Sequence, residues 1–190
     1  MSYVIPTNEL TLTDIKAYKD KAIEAGIQRA LGLRLARQRE ELVVREANPM
    51  PDFSQPGAVG YTNNYYVTAG AVGLNAWVSV FDTALPPTLA RTQVAVFYKI
   101  ADQAVFGAVP VITAVRFGVG PTGATTQASF FTQTFTDIKL ESEVWLSEPV
   151  IYDPDDVVFI QFYGRANTNA AGEELSFGCF IIERVGATVS

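Results

Sequence analysis

The chain changes its hydrophobic period once. From Ile15 to about Arg39, apolar residues recur at steps of three and four. Ile15, Tyr18, Ala22, Gly26, Ala30 and Leu33 make one stripe, and Ile23, Ile27, Leu31 and Leu35 make a second. Two adjacent stripes form a wide apolar face, which predicts an amphipathic helix over about 13–39. Thr11 or Thr13 can cap its start by accepting from an early backbone N–H, and Asp14 suits the positive helix end. Gly26 and Gly32 each cost roughly 1 kcal/mol against Ala in a helix. They either break it into two pieces or permit close contact with another chain.

After a Pro/Gly-rich stretch the period becomes two. Tyr65–Val67, Asn75–Phe81, Thr92–Ile100, Val111–Val119, Gln127–Phe135, Val144–Tyr152, Val157–Tyr163 and Leu175–Val185 are β-branched and aromatic runs separated by turn residues. Such runs are strands, and no helix-length pattern lies between them, so βαβ units are disfavoured. The expectation is a mainly β protein: an antiparallel, jelly-roll-like β-sandwich of about eight strands with an N-terminal helical arm. The middle of the sandwich is read at Val144–Arg165, where Asp153-Pro154-Asp155-Asp156 makes a turn between two apolar runs. Glu41–Arg45 is a candidate short strand. Ala47–Gly60 holds three prolines and two glycines and reads as an extended linker. The boundary is placed there, with an arm over 1–60 and a body over 61–190.

Several strands are apolar on both sides. Val158, Ile160 and Phe162 face away from Val157, Phe159 and Tyr163, and Phe180 and Ile182 oppose Phe177, Cys179 and Ile181. An antiparallel sheet usually leaves one face polar. Two apolar faces need a further cover, either the N-terminal helix or a neighbouring subunit, and an oligomer is expected.

Charge separates the two parts. Residues 1–46 sum to +1 and residues 47–190 to −7, within a net charge of −6. An acidic body is a poor match for nucleic acid, whose affinity rests on Lys and Arg neutralising phosphates. Arg29, Arg34, Arg37 and Arg39 fall in eleven residues without an acid. They form either a solvated helix face or a docking surface for an acidic protein; four arginines make a small nucleic-acid footprint. The start of the chain lacks the pattern of a signal peptide, and no apolar run approaches the roughly 20 residues that span a bilayer. A soluble protein made in the cytoplasm, with no membrane partner, is expected.

Little in the sequence suggests chemistry. There is no histidine, which removes Ser-His-Asp and Cys-His constellations and His-based metal sites. Gly118, Gly120 and Gly123 match a bare G-x-G-x-x-G spacing, but a strand-like run follows where a helix should open, so a loop is read. Cys179 is the single cysteine and reads as a buried, inert thiol. Asp153, Asp155 and Asp156 are solvated turn residues or part of a Ca²⁺ site, which needs six to eight oxygens. Acid pairs beside aromatics such as Tyr65 and Tyr66 leave a glycosidase as a remote alternative. No enzyme, cofactor or metal is expected.

The order of helical arm, Pro-rich linker and short strands ending in SEPVIYDPDDVVFIQFYG and SFGCFIIERVG resembles viral jelly rolls. Among these it resembles the decoration (cement) proteins of tailed bacteriophage capsids. The resemblance implies a structural virion protein on the capsid exterior, a homotrimer whose arm clamps the major capsid protein. It implies that Arg29, Leu31, Arg34, Leu35, Arg37 and Arg39 contact the capsid or a partner copy. The alternatives are a single jelly-roll capsid or minor capsid protein, and a receptor- or carbohydrate-binding head with Tyr61, Tyr65 and Tyr66 exposed in loops.

Overall fold

The two periods become two kinds of layer in the computed structural model, which describes residues 4–47, 61–62, 65–67, 76–81, 87–104, 112–120, 125–131, 143–164 and 173–186. Its elements are β1 (Val4–Pro6), α1 (Leu12–Gly32), β2 (Leu42–Ala47), β3 (Tyr61–Thr62), β4 (Tyr65–Val67), β5 (Ala76–Ser79) and β6 (Gln93–Ala104). They continue with β7 (Ile112–Val119), β8 (Thr125–Phe131), β9 (Glu143–Tyr152), β10 (Val158–Gly164) and β11 (Glu173–Arg184). The eight period-two runs are β4 to β11, and the short strand foreseen after the helix is β2.

The first sheet runs β1-β9-β6-β11-β4-β3, with β2 also on β11, and the second runs β5-β10-β7-β8. All pairings are antiparallel. From β4 to β11 the chain crosses between the sheets at every connection except β7 to β8. That strand order is a jelly roll, so the expected fold class is the observed one.

The core lies between the sheets and follows the alternation. Phe97 of β6 sits at ring-centroid distances of 5.4 Å from Phe117, 5.5 Å from Tyr152 and 6.2 Å from Phe177. Edge-on aromatic contacts of this kind add to the burial of apolar area. Cys179, Ile181, Val158, Ile160 and Phe162 join the same core. Tyr152 is fully buried, and its hydroxyl donates to the Phe159 carbonyl at 3.2 Å, linking β9 of one sheet to β10 of the other. Burial pushes its pKa up.

A second cluster lies on the outer face of the first sheet. Val94, Val96, Tyr98, Trp145, Phe180 and Ile182 pack there against Ala22, Ile27 and Ala30 of α1. For β11 the cover that a two-sided strand demands is the chain's own helix, so this face gives no ground for an oligomer; β10, the other such strand, lies in the second sheet, and the helix–sheet cluster holds none of its residues. Gly26 makes the close fit. A Cβ there would lie 2.1 Å from Ile182 Cδ1 and 2.5 Å from Val96 Cγ2. The close contact foreseen at Gly26 is therefore made with the same chain, not with another.

Helix α1 starts on a capping box: Thr11 Oγ1 accepts from the Asp14 N–H, and Asp14 Oδ2 accepts from the Thr11 N–H at 2.9 Å. The Thr11 hydroxyl also donates to Asp14 Oδ2 at 2.7 Å, and this bond, ahead of the one from the Thr11 N–H, holds the Asp14 carboxyl below its usual range. The helix stops at Gly32, short of the expected 39 and unbroken at Gly26. Arg34 takes the left-handed conformation (φ 61°), its N–H donates to Leu31 O, and the Leu35 N–H donates to Ala30 O. This is a Schellman end, and Leu35 turns back onto the helix–sheet cluster. Residues 4–47, set apart above as part of an arm, thus supply two strands and the outer cover of the first sheet. The boundary foreseen at 60 lies outside the described residues.

Candidate interaction surface

Strand register brings one set of charged residues to one end of the sandwich. β6 begins at Gln93, opposite Glu183 near the end of β11, and Arg184 pairs with Leu42 at the start of β2. β9 ends at Tyr152 opposite Ala95. The C-terminus of α1 and the 153–156 turn reach the same end, joined by Arg29 and Asp153. Arg29, Arg34, Arg37, Arg39, Arg91 and Arg184 all lie there.

Three of these arginines are paired within the chain. Arg29 Nε donates to Asp153 Oδ1 at 2.7 Å while its Nη2 engages Oδ2, a bidentate pair that ties α1 to the β9–β10 turn and raises the guanidinium pKa. Arg39 Nη1 donates to Glu24 Oε2 at 2.5 Å. The Glu24 carboxyl is held below its usual range, first by the Gln28 hydrogen bond and then by that of Arg39. Arg91 lies 3.4 Å from Asp155, both well exposed. Exposed pairs are worth little in stability; the median is about 0–1 kcal/mol. They fix geometry more than they add free energy.

The carboxylates of the acidic turn are engaged within the chain. Asp153 faces Arg29 and Asp155 faces Arg91. Asp156 Oδ2 accepts from the Asp153 N–H at 2.8 Å, while Asp156 donates its own N–H to Asp153 O. Asp155 holds the positive φ of 64° that the tight bend requires. Among the described residues no three Asp, Glu, Cys or His side chains converge as a metal site.

The remaining arginines, Arg34, Arg37 and Arg184, are exposed and form no ion pair among the described residues. Leu33 is 37% exposed beside Arg34, and Val185 is 56% exposed beside Arg184. Glu41 joins the two segments: its Oε2 accepts from the Arg37 N–H at 3.1 Å, and its carbonyl accepts from the Val185 N–H at 2.8 Å. Leu31 and Leu35 are half-buried against their own sheet and offer a partner little surface. The sequence-derived set thus divides into two leucines turned inward, two arginines paired in the chain, and Arg34 and Arg37 turned outward. Sequence reasoning missed Arg91 and Arg184, because only strand register brings them to this end.

The other candidates fall elsewhere. Cys179 is fully buried between the sheets, as an inert thiol would be. Gly120 takes a positive φ of 97° after β7, as a loop glycine does, while residues 121–124 lie outside the described residues. Tyr61, Tyr65 and Tyr66 fall on β3 and β4, whose side chains are likewise outside the description. No helix among the described residues is long and apolar enough to cross a membrane.

No protein-family model matches the chain, and no curated protein matches it. Among solved structures it is similar to that of the infectious bursal disease virus Gx strain, at 8% identity and TM-score 0.36, over 77% of this chain and 34% of that one. It is similar to the infectious bursal disease virus VP2 subviral particle at 10% identity and TM-score 0.36, over 78% and 34%. It is also similar to the C-terminal CBM6 of LamC from Zobellia galactanivorans at 9% identity and TM-score 0.32, over 75% and 99%. The chain spans about a third of the length of the two viral structures. At these scores nothing about function transfers from them.

Proposed function

We propose that this protein is a structural virion protein: a capsid decoration protein that stabilises the shell from outside and transforms no substrate. The jelly-roll strand order serves capsid and lectin domains alike, so the fold admits the function without selecting it. The observation that carries the proposal is the end of the sandwich where Arg34, Arg37 and Arg184 have no acid partner among the described residues and stand beside exposed Leu33 and Val185. Unpaired guanidinium groups around small apolar contacts suit an acidic protein surface, and Arg is enriched in protein interfaces. Arg29, Arg39 and Arg91 beside them are paired with Asp153, Glu24 and Asp155. In this reading the contact with shell subunits is made by a rigid end, since α1 is committed to its own sheet. The protein works as a homotrimer on the major capsid protein.

Co-sedimentation with undecorated shells tests this. The wild type is expected to pellet with the shells and delay their thermal disruption. The combined Arg34→Glu, Arg37→Glu and Arg184→Glu variant is expected to stay in the supernatant while melting like the wild type. A wild type that never pellets, or a triple variant that binds equally, overturns the proposal. Light scattering that gives one subunit overturns the trimer.

A further inference from the structure

The outer face of the second sheet has a different chemistry. Val78, Val115, Phe117, Ile160 and Phe162 point into the core, so Trp77, Ser79, Arg116, Gln161 and Tyr163 point outward. All five are half-buried. Arg116 lies over the Trp77 ring at 4.2 Å, and the edge of Tyr163 meets Trp77 with centroids 5.4 Å apart. Arg116 Nε donates to Gln161 Oε1 at 2.7 Å, and Gln161 Nε2 donates to Ser79 Oγ at 3.4 Å.

Arg116 is the single charged residue in the four strands of this sheet. It forms no ion pair, and its two terminal amino groups find no acceptor among the described residues. A half-buried charge without a countercharge is costly. Here it is also held in place: the indole fixes the plane of the guanidinium, and Gln161 fixes its rotation by occupying Nε. The two Nη groups are left side by side, the end-on fork that takes both oxygens of one carboxylate.

We propose that this face docks an acidic segment of a partner protein, with an Asp or Glu carboxylate seated on the Nη groups of Arg116 and Trp77 and Tyr163 excluding water around it. Arg116 carries the one charge of these four strands, so the local complement of this face is a carboxylate, although the body as a whole is acidic. Trp, Tyr and Arg are the residue types that dominate protein–protein hot spots. One face of Trp77 is taken by the guanidinium and Tyr163 stands against it, which leaves a poor platform for stacking a sugar ring. The proposal stands whether or not the partner is a shell subunit, and it concerns a different surface from the arginine end.

The probes are a biotinylated Glu-rich peptide, its Lys-for-Glu version and a neutral glucan oligosaccharide, each measured by interferometry on the full chain. Saturable binding of the Glu-rich peptide is expected, weaker by about tenfold or more in Arg116→Gln, the loss of a charge-assisted pair. Arg116→Lys is expected to bind between the two, because it keeps the charge and loses the fork. Arg34→Gln, at the other surface, is expected to bind as the wild type does, which separates this proposal from the shell contact. Equal melting of Arg116→Gln and wild type shows that the fold is kept. No saturable binding, binding unchanged in Arg116→Gln, or equal binding of the Lys peptide overturns the proposal. So does glucan binding that depends on Arg116. A wild-type oligomer that dissociates in Arg116→Gln also overturns it, by showing that the occupant is a second copy.

Discussion

The two sheets of this jelly roll present outer faces that could hardly differ more. The first sheet shows aromatic and branched side chains outward and is sealed by a helix with Ala22, Gly26 and Ala30 at the contact. The second shows Trp77, Arg116, Gln161 and Tyr163 at intermediate burial. The difference is already in the side-chain alternation. Outward apolar residues on β6, β9 and β11 take a second layer, whereas β5, β7 and β10 turn Trp77, Arg116, Gln161 and Tyr163 outward, with Phe159 on the same face of β10 buried. One face is covered by the chain itself, and the other is the face proposed above to dock a partner.

The two tryptophans test that contrast most strongly. Trp145 is 2% exposed under α1 and donates its Nε1–H to Thr7 Oγ1 at 3.0 Å. Trp145→Ala is expected to lower unfolding stability by about 3–5 kcal/mol in urea titration. Trp77→Ala, on the half-buried face, is expected to cost about 1 kcal/mol. Equal losses would erase the distinction between the faces.

The two helix glycines sharpen it. Gly26→Ala improves helix propensity but drives a methyl into Val96 and Ile182, so a net loss of about 1–3 kcal/mol is expected. Gly32→Ala meets nothing within 4 Å, and a gain of up to about 1 kcal/mol is expected. If both variants gain, α1 is not seated on the sheet as described.

Arg34→Gly gives a smaller effect. The left-handed conformation costs a non-glycine residue about 1–2 kcal/mol. Glycine's extra freedom in the unfolded chain returns about 0.4–1 kcal/mol. A net gain of roughly 0.5–1 kcal/mol is expected, read as a higher urea midpoint. Unchanged stability would mean that the helix does not end in this geometry.

The smallest effect is on pH dependence at the rim of the helix-covered face. The Tyr98 hydroxyl donates to Glu46 Oε1 at 2.6 Å, and this bond, ahead of nearby Lys19, lowers the Glu46 pKa from 4.5. A depressed carboxylate stabilises the fold above its unfolded value, and that contribution is lost as pH falls through the lower, folded value. Tyr98→Phe is therefore expected to flatten the fall in urea midpoint on the acid side of 4.5. An identical slope in the variant would show that the bond does not tune Glu46.

Much of this was legible in the residues, for reasons of range. The opposition of Phe180 and Ile182 to Phe177, Cys179 and Ile181 is a property of neighbours in sequence, and it survives intact. The helix face was legible for the same reason, but its end was not, because the residue that takes the left-handed position is Arg34 and not a glycine. The Asp153–Asp156 turn was visible as a turn. Its local chemistry does not say that β9 and β10 belong to different sheets, since that depends on which partners each strand finds. Arg91 and Arg184 at the arginine end, and Trp77, Arg116 and Gln161 on the second sheet, are brought together by strand register alone. No local pattern announces such a meeting.

The buried position of Cys179 equips the molecule with a built-in stopwatch. With no other cysteine in the chain and none of this side chain's surface reachable in the native state, a sulfhydryl reagent can react only when the two sheets part. The alkylation rate therefore reads how often the sandwich opens, without any engineered label. The same reading taken before and after a partner is added would show whether that partner clamps the sandwich shut.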